Sequence, residues 1–84
     1  MALYGEQVRA ARALLRWTQQ ALADRASAFA PVSAETIKKW ESVDGPIRGM
    51  TDKAEAVMRA LTDAGIELLN SDQPGARRAT KKAT

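Results

Sequence analysis

The segment TQQALADRASAFAPVSAETIKKWE, residues 18–41, decides the fold, because it predicts two short helices and the connection between them. Thr18 is a good N-cap for the first helix. The apolar positions that follow at helical spacing are Leu22, Ala23 and Ala26. Pro31 cannot continue a helix, so the pattern breaks over 27–31. We therefore predict a helix over 19–26.

The second helix of this pair follows the proline. Ser33 is another favourable N-cap, and it predicts a helix that runs from Ala34 to about Glu41. Ile37 and Trp40 share one side of this helix and are predicted to face the core.

One further helix is predicted on each side of this pair. The first spans about Gly5 to Leu15 and carries an apolar stripe at helical spacing. The other follows Thr51, a good N-cap, and ends near Gly65, a residue type favoured just after a helix. Its apolar residues follow the i, i+3, i+4, i+7 rule and are Ala54, Val57, Met58 and Leu61.

The C-terminal residues carry weaker signals. The segment 66–69 is too short for an isolated helix, and we predict a brief strand or an extended segment there. From Asn70 onward, Pro, Gly, small residues and cations predict disorder. The predicted fold class is all-α, a compact bundle of four or five short helices with an optional C-terminal strand at a dimer contact. The predicted domain covers 1–70, and a basic disordered tail covers 71–84.

Composition excludes several kinds of site. The chain has no cysteine and no histidine, which removes disulfides, the usual zinc ligands and both Cys and His catalysis. Four short helices also offer little concave volume for a substrate, so we expect no enzyme, no metal and no cofactor. No apolar run approaches the roughly 20 residues that span a bilayer. We expect a cytoplasmic protein without a membrane partner.

The net charge of +3 is unevenly distributed along the sequence. Residues 1–70 contain nine basic and nine acidic residues, so their net charge is zero. The excess lies in the tail, where the basic residues are Arg77, Arg78, Lys81 and Lys82. These cations suit either phosphate contacts or a solubilising end, and the overall charge alone supports nucleic-acid binding only weakly.

The pair of helices over 19–41 has the requirements of a helix-turn-helix. Ala23 is small enough for two helices to cross closely there, and Ile37 is an aliphatic anchor in the second helix. The exposed start of that helix is polar, as a helix that enters the major groove needs to be. Its polar residues are Ser33, Glu35, Thr36, Lys38 and Lys39. A small helical bundle without DNA-binding activity would show the same features, so both interpretations stay open at this point.

The segments RAARALLRWTQQALA, residues 9–23, and SAETIKKWE, residues 33–41, resemble the phage repressor and Cro type of helix-turn-helix, the XRE family. The ending AGIEL, residues 64–68, is similar to that of a bacterial branch of this family. The resemblance covers about 5–69. One departure is a connection between the two helices that is about four residues longer, over 28–31.

The resemblance implies roles for individual residues. Gln19 would contact a backbone phosphate, as would Lys38 and Arg48, and Thr36 is ambiguous between phosphate contact and packing. The residues that would face the bases are Ser33, Ala34, Glu35 and Lys39. The chemistry is suitable, because Glu35 can accept from a cytosine amino group and Lys39 can donate to guanine or phosphate. The alternative for these charged residues is a solvated helix face.

The resemblance also implies a scaffold contact, a buried ion pair between Arg12 and Glu41. Because one short helix reads only about 4–5 base pairs, the protein is expected to be a homodimer on an operator with two half-sites. The residues predicted at the dimer contact are Ile66, Leu68 and Leu69.

The function expected from these observations is a sequence-specific transcriptional regulator, with repression as the expected sense, that binds double-stranded DNA through helix 34–41. A second hypothesis is a protein-binding module on the same fold, such as an antiactivator, antirepressor or antitoxin that sequesters another regulator. The neutral charge of 1–70 favours this alternative. An exposed apolar patch would distinguish it from a DNA-binding protein.

Overall fold

A computed structural model describes residues 3–43, 45–47, 51–69 and 75–78. It contains four helices followed by a two-stranded antiparallel sheet. The elements are α1 (Gly5–Leu15), α2 (Gln19–Ala26), α3 (Ala34–Glu41), α4 (Thr51–Asp63), β1 (Ile66–Leu69) and β2 (Gly75–Arg78). The predicted extents of the first three helices and of the short strand are confirmed.

Local signals explain where the helices begin and end. The Thr18 hydroxyl accepts a hydrogen bond from the Ala21 amide at 3.0 Å, and the Ser33 hydroxyl accepts one from the Thr36 amide at 3.2 Å. Each bond satisfies a backbone donor that a helix leaves unpaired at its start. Gly65 follows α4 with a φ of 91°, a conformation that glycine adopts without strain.

The core lies between the four helices and β1. Its fully buried side chains include Val8 of α1, Leu22 of α2, Ile37 of α3 and Leu61 of α4. Ile66 of β1 closes the C-terminal side of the same cluster. None of the helices in the described part of the chain is long and apolar enough to cross a membrane.

Gly5 allows α1 to approach the end of α3. A Cβ atom at this position would collide with the backbone carbonyl oxygens of Trp40 and Val43. The Gly5 amide also donates to the carbonyl oxygen of Gly45 at 3.0 Å, which ties the residues after α3 to the start of α1. A larger residue at position 5 would therefore displace α3.

The prediction of an all-α fold is wrong, because β1 pairs with a second strand of the same chain. Ile66 lies opposite Arg78 and Leu69 lies opposite Gly75 in an antiparallel register. The tail predicted to be disordered, 71–84, therefore contains a strand at Gly75–Arg78. Its sequence, GARR, has no apolar alternation, so nothing local in it indicates a strand. Tertiary contacts supply the order that propensity does not.

The main such contact is the side chain of Gln7, which is 0% exposed. Its amide nitrogen donates to the carbonyl oxygens of Leu69 at 2.8 Å and Gly75 at 3.2 Å, one from each strand. Its oxygen accepts from the Tyr4 amide at 2.9 Å. Both N–H groups and the oxygen of this buried amide are paired, so Gln7 fixes the hairpin to the start of α1.

Replacing Gln7 with alanine should lower the free energy of unfolding by about 2–4 kcal/mol, because two strand carbonyls and a helix amide lose their buried partner. Urea denaturation measures this change. Gln20 is the matched control, since its amide binds only the carboxylate of Asp24 on the exposed face of α2. Gln20→Ala should cost less than about 0.5 kcal/mol. Equal losses for the two variants would show that Gln7 does not fix the hairpin.

Candidate nucleic-acid interface

The outward face of α3 is the candidate interface. Ile37 lies fully buried on the opposite side of this helix. Glu35 and Lys39 each lie two residues from Ile37, so at 100° per residue each is about 160° around the helix from it. The two are about 40° apart and one turn apart, on the same stripe. Both are exposed, and Lys38 is exposed beside them. Two of the four residues predicted to face the bases, Glu35 and Lys39, therefore share the side of α3 that is turned away from the core.

The N-terminal end of α3 is also accessible. Ser33, the cap, is exposed, whereas Ala34 is half-buried and packs against the core. Thr36 is half-buried, and its hydroxyl lies 3.1 Å from that of Ser33. The hydroxyls of Ser33 and Thr36 are thus engaged with each other at the cap, and Glu35 is the most outward of the first three helical residues.

The longer connection between α2 and α3 does not cover this end. The Ser27 hydroxyl donates to the carbonyl oxygen of Ala23 at 2.8 Å and accepts from the Val32 amide at 3.3 Å. This side chain closes the base of the connection, and the extra residues form a turn whose Ala30 packs against the core. Phe29, at the loop tip, lies against the last turn of α4 beside Ala60 and Ala64. Helices α2 and α3 pack against each other beside this turn.

Helix α4 adds a cation that the sequence analysis missed. The Lys53 ammonium group donates to the carbonyl oxygen of Pro31 at 2.7 Å, and Lys53 lines a surface groove together with Ser33. It therefore lies beside the start of α3. No pattern in the sequence links a lysine in the first turn of α4 to Pro31, because their contact is set by how α4 packs.

The predicted ion pair between Arg12 and Glu41 is present. The Nε and Nη2 atoms of Arg12 each donate to one carboxylate oxygen of Glu41 at 2.7 Å. Its Nη1 atom donates to the carbonyl oxygen of Trp17 at 2.8 Å. The two side chains are 20% and 6% exposed. One guanidinium thus joins α1, the turn before α2 and the last residue of α3.

The charge state of Glu41 follows from its partners. Burial by itself raises the pKa of this carboxyl, but hydrogen bonds from Arg12 and Gln19 and the positive charges of Arg12 and Arg9 outweigh burial and lower the pKa. The hydrogen bond to Glu41 raises the pKa of the Arg12 guanidinium. Both groups are charged at neutral pH, as the doubly hydrogen-bonded geometry requires.

Gln19 belongs to this network and does not lie freely at the surface. Its amide nitrogen donates to Oε1 of Glu41 at 3.2 Å. The second N–H group of this amide is the only donor left for the phosphate contact predicted for Gln19, because the amide oxygen can only accept and a phosphate oxygen cannot donate. Arg9 adds a bond from its Nη1 atom to the backbone oxygen of Glu41 at 2.8 Å.

The other residues predicted to have a role are Arg48, the three residues of the dimer contact and the basic tail. Arg48 lies outside the described residues. Ile66 is 2% exposed and belongs to the core, so it cannot contact a second subunit. Leu68 is half-buried against the core, while alternation along β1 turns Leu69 to the other face of the hairpin. Part of the predicted basic tail is already engaged, since Arg78 donates to the carbonyl oxygen of Leu14.

No group of three Asp or Glu residues that could hold a metal ion occurs among the residues the structure describes. The large apolar side chains that are exposed there are Phe29, at 42%, and Val43, at 65%. Phe29 lies against α4, whereas Val43 follows α3 near Gly5. These two side chains therefore belong to different surfaces and do not form one large apolar patch.

Glu41→Gln should lower the free energy of unfolding by about 3 kcal/mol near pH 7, because Arg12 then lacks a charged partner in a largely buried position. The folded-state pKa of Glu41 is lowered. Its contribution to the free energy of unfolding is therefore fully present above the ordinary carboxyl range and is lost as the pH falls through the lower folded-state pKa. The difference from the wild type should therefore narrow as the pH falls below the ordinary carboxyl range. Urea denaturation across this pH range measures it.

The control for this series is Glu67→Gln. Glu67 also pairs with an arginine, Arg77, at 2.8 Å, but both side chains are largely exposed. Exposed pairs of this kind contribute little to stability, so the control should behave as the wild type. A Glu41→Gln loss that stays constant as the pH falls well below the ordinary carboxyl range would contradict the assignment of Glu41 as a charged, pH-dependent partner.

Comparison of the chain with protein-family models, with curated proteins and with solved structures finds no match. The case for any function therefore depends on the residues and geometry described above.

Proposed function

We propose that the protein is a sequence-specific DNA-binding regulator of transcription, of the helix-turn-helix type that its sequence resembles. In this proposal, α3 enters the major groove with Glu35 and Lys39 toward the base edges. The observation that carries the proposal is the outward stripe of α3, which is exposed and charged on a helix whose opposite side is fixed to the core.

The dimensions and chemistry of α3 support this assignment. An α-helix with its side chains is about 10–12 Å wide, which matches the roughly 12 Å width of the major groove. Glu35 can accept from a cytosine amino group, and Lys39 can donate to guanine. Lys38, beside them, is suited to a backbone phosphate, and Lys53 provides a further cation next to the start of α3.

The scaffold around α3 supports the same assignment. A helix that reads bases needs a fixed orientation, because hydrogen bonds to base edges tolerate little displacement. The Arg12 and Glu41 pair holds the last residue of α3, and Ser33 caps its first turn. Gln19 connects the start of α2 to the same network.

The alternative of a sequestering protein-binding module has less support. Such a module would use a contiguous exposed apolar surface. The two large apolar side chains that are exposed in the described residues, Phe29 and Val43, lie on separate surfaces. The DNA-binding proposal is therefore the better supported of the two. The proposal includes a cytoplasmic location and regulation by repression.

A dimer is part of the proposal, because one short helix reads too few base pairs for useful specificity. Of the three residues predicted at the dimer contact, Leu69 is the one that alternation turns away from the core. Leu69→Asp should shift the protein from dimer to monomer in sedimentation equilibrium, with Glu67→Gln as a control on the same face. A wild type that is monomeric both free and on DNA would contradict the dimer.

The reader assignment predicts a specific pattern in DNA binding. Anisotropy titrations with duplexes from the region upstream of the gene, at two salt concentrations, should show saturable, sequence-dependent binding. Lys39→Ala should weaken binding to the best duplex by about 1–3 kcal/mol, and Glu35→Ala should change the preferred base pair. Lys38→Ala should weaken binding to all duplexes and lower the salt slope by about one unit.

Arg59→Gln is the matched control for these cation changes, because Arg59 lies over the ring of Phe29 and away from α3. It should leave DNA affinity unchanged. Unchanged binding by both Lys39→Ala and Glu35→Ala would remove the reader assignment, and a chain that binds no duplex even at low salt would remove the proposed function.

A further inference from the structure

The loop at 28–31 carries an aromatic side chain that lies outside the core. Phe29 is 42% exposed and is not part of the core. Its amide donates to the carbonyl oxygen of Ala26 at 2.9 Å, and Ser27 closes the base of the loop. The loop therefore leaves part of a large apolar side chain exposed at the surface, and surface loops often carry binding residues.

Two arginines accompany this ring. The guanidinium carbon of Arg59 lies 4.8 Å from the centre of the Phe29 ring, and that of Arg25 lies 4.7 Å from the centre of the Trp17 ring. Such stacking holds a guanidinium by its face and leaves its N–H groups at the edge available. Among the described residues, neither guanidinium group donates a hydrogen bond or forms an ion pair, although the backbone carbonyl oxygen of Arg59 accepts from the Thr62 hydroxyl at 3.1 Å.

A shallow cleft of about 190 Å³ lies at this position. We call it the Phe29 cleft, and its lining residues are Arg25, Ala28, Phe29, Ala60, Asp63 and Ala64. It is smaller than the roughly 300–1,000 Å³ of small-molecule sites, and its lining combines alanine methyl groups and an aromatic ring with the charged side chains of Arg25 and Asp63. These dimensions suit one aliphatic side chain of a larger partner.

We propose that the Phe29 cleft binds a short acidic segment of a partner protein. One aliphatic side chain of the segment would lie between Phe29 and α4, and a neighbouring carboxylate would accept hydrogen bonds from Arg25 and Arg59. Arginine and aromatic residues are the types that contribute most to such contacts. This interaction does not depend on DNA binding.

Charge and position favour this occupant over two others. A second copy of the chain bound through the same cleft would bring its own Arg25 and Arg59 near these two arginines, and like charges disfavour such a contact. DNA on α3 would lie on another flank, because Lys53 is beside the start of α3 and Asp63 is ten residues further along α4. That separation is about 15 Å along the helix axis.

The test uses the full ¹⁵N-labelled chain and a short synthetic peptide in which leucine alternates with aspartate. The peptide should shift the Nε–H resonances of Arg25 and Arg59 in a saturable manner.

Phe29→Ala should weaken binding by about tenfold, as expected for a central aromatic contact. Asp63→Asn should strengthen binding by about threefold, because it removes the carboxylate in the cleft. Arg59→Lys should weaken it, because lysine lacks the stacked planar group.

Val43→Ala is the matched control, because Val43 is an exposed apolar side chain, 65% exposed against 42% for Phe29, on another surface. It should bind the peptide as the wild type does. Equal binding of a peptide with lysine or asparagine in place of aspartate would overturn the proposal, as would wild-type affinity in Phe29→Ala. A loss of DNA affinity in Phe29→Ala, or its conversion from dimer to monomer, would assign the cleft to those interactions and also overturn it.

Discussion

The buried carboxylate of Glu41 is the constraint on which the arrangement of the helices depends. It is the last residue of α3, and its two oxygens accept bonds from Arg12 of α1 and Gln19 of α2. A charge with so little exposure is costly to bury unless its partners are fixed in place. The three helices therefore have one relative orientation in which this carboxylate is satisfied, and in that orientation the stripe with Lys39 faces outward.

The helices could be predicted from the sequence because their signals are local. Thr18 and Ser33 cap the first turns that follow them, and Gly65 supplies the conformation after α4. The second strand could not be predicted, because GARR has no strand pattern and its order comes from pairing with β1 and from Gln7, far away in the sequence. A polar residue in the apolar stripe of α1 gives no indication of which carbonyls it will bind.

The same distinction applies to the site. The outward stripe of α3 follows from helical periodicity, and the ion pair of Arg12 with Glu41 was expected from the family resemblance. The bond of Lys53 to Pro31 and the stacking of Arg59 on Phe29 depend on how α4 packs, so periodicity does not reveal them. Together they divide the surface into a flank around α3 suited to DNA and a separate flank around Phe29 suited to a protein partner.

In the proposed complex, DNA contacts the flank formed by α3 and Lys53 and does not contact the Phe29 cleft. Titrating the ¹⁵N-labelled protein with duplexes from upstream of its gene, and following backbone resonances, tests this placement. Shifts should concentrate over 33–39, with Lys53 affected and Phe29 and Arg59 unchanged. Shifts confined to the Phe29 cleft, or a complete absence of shifts at low salt, would contradict this placement.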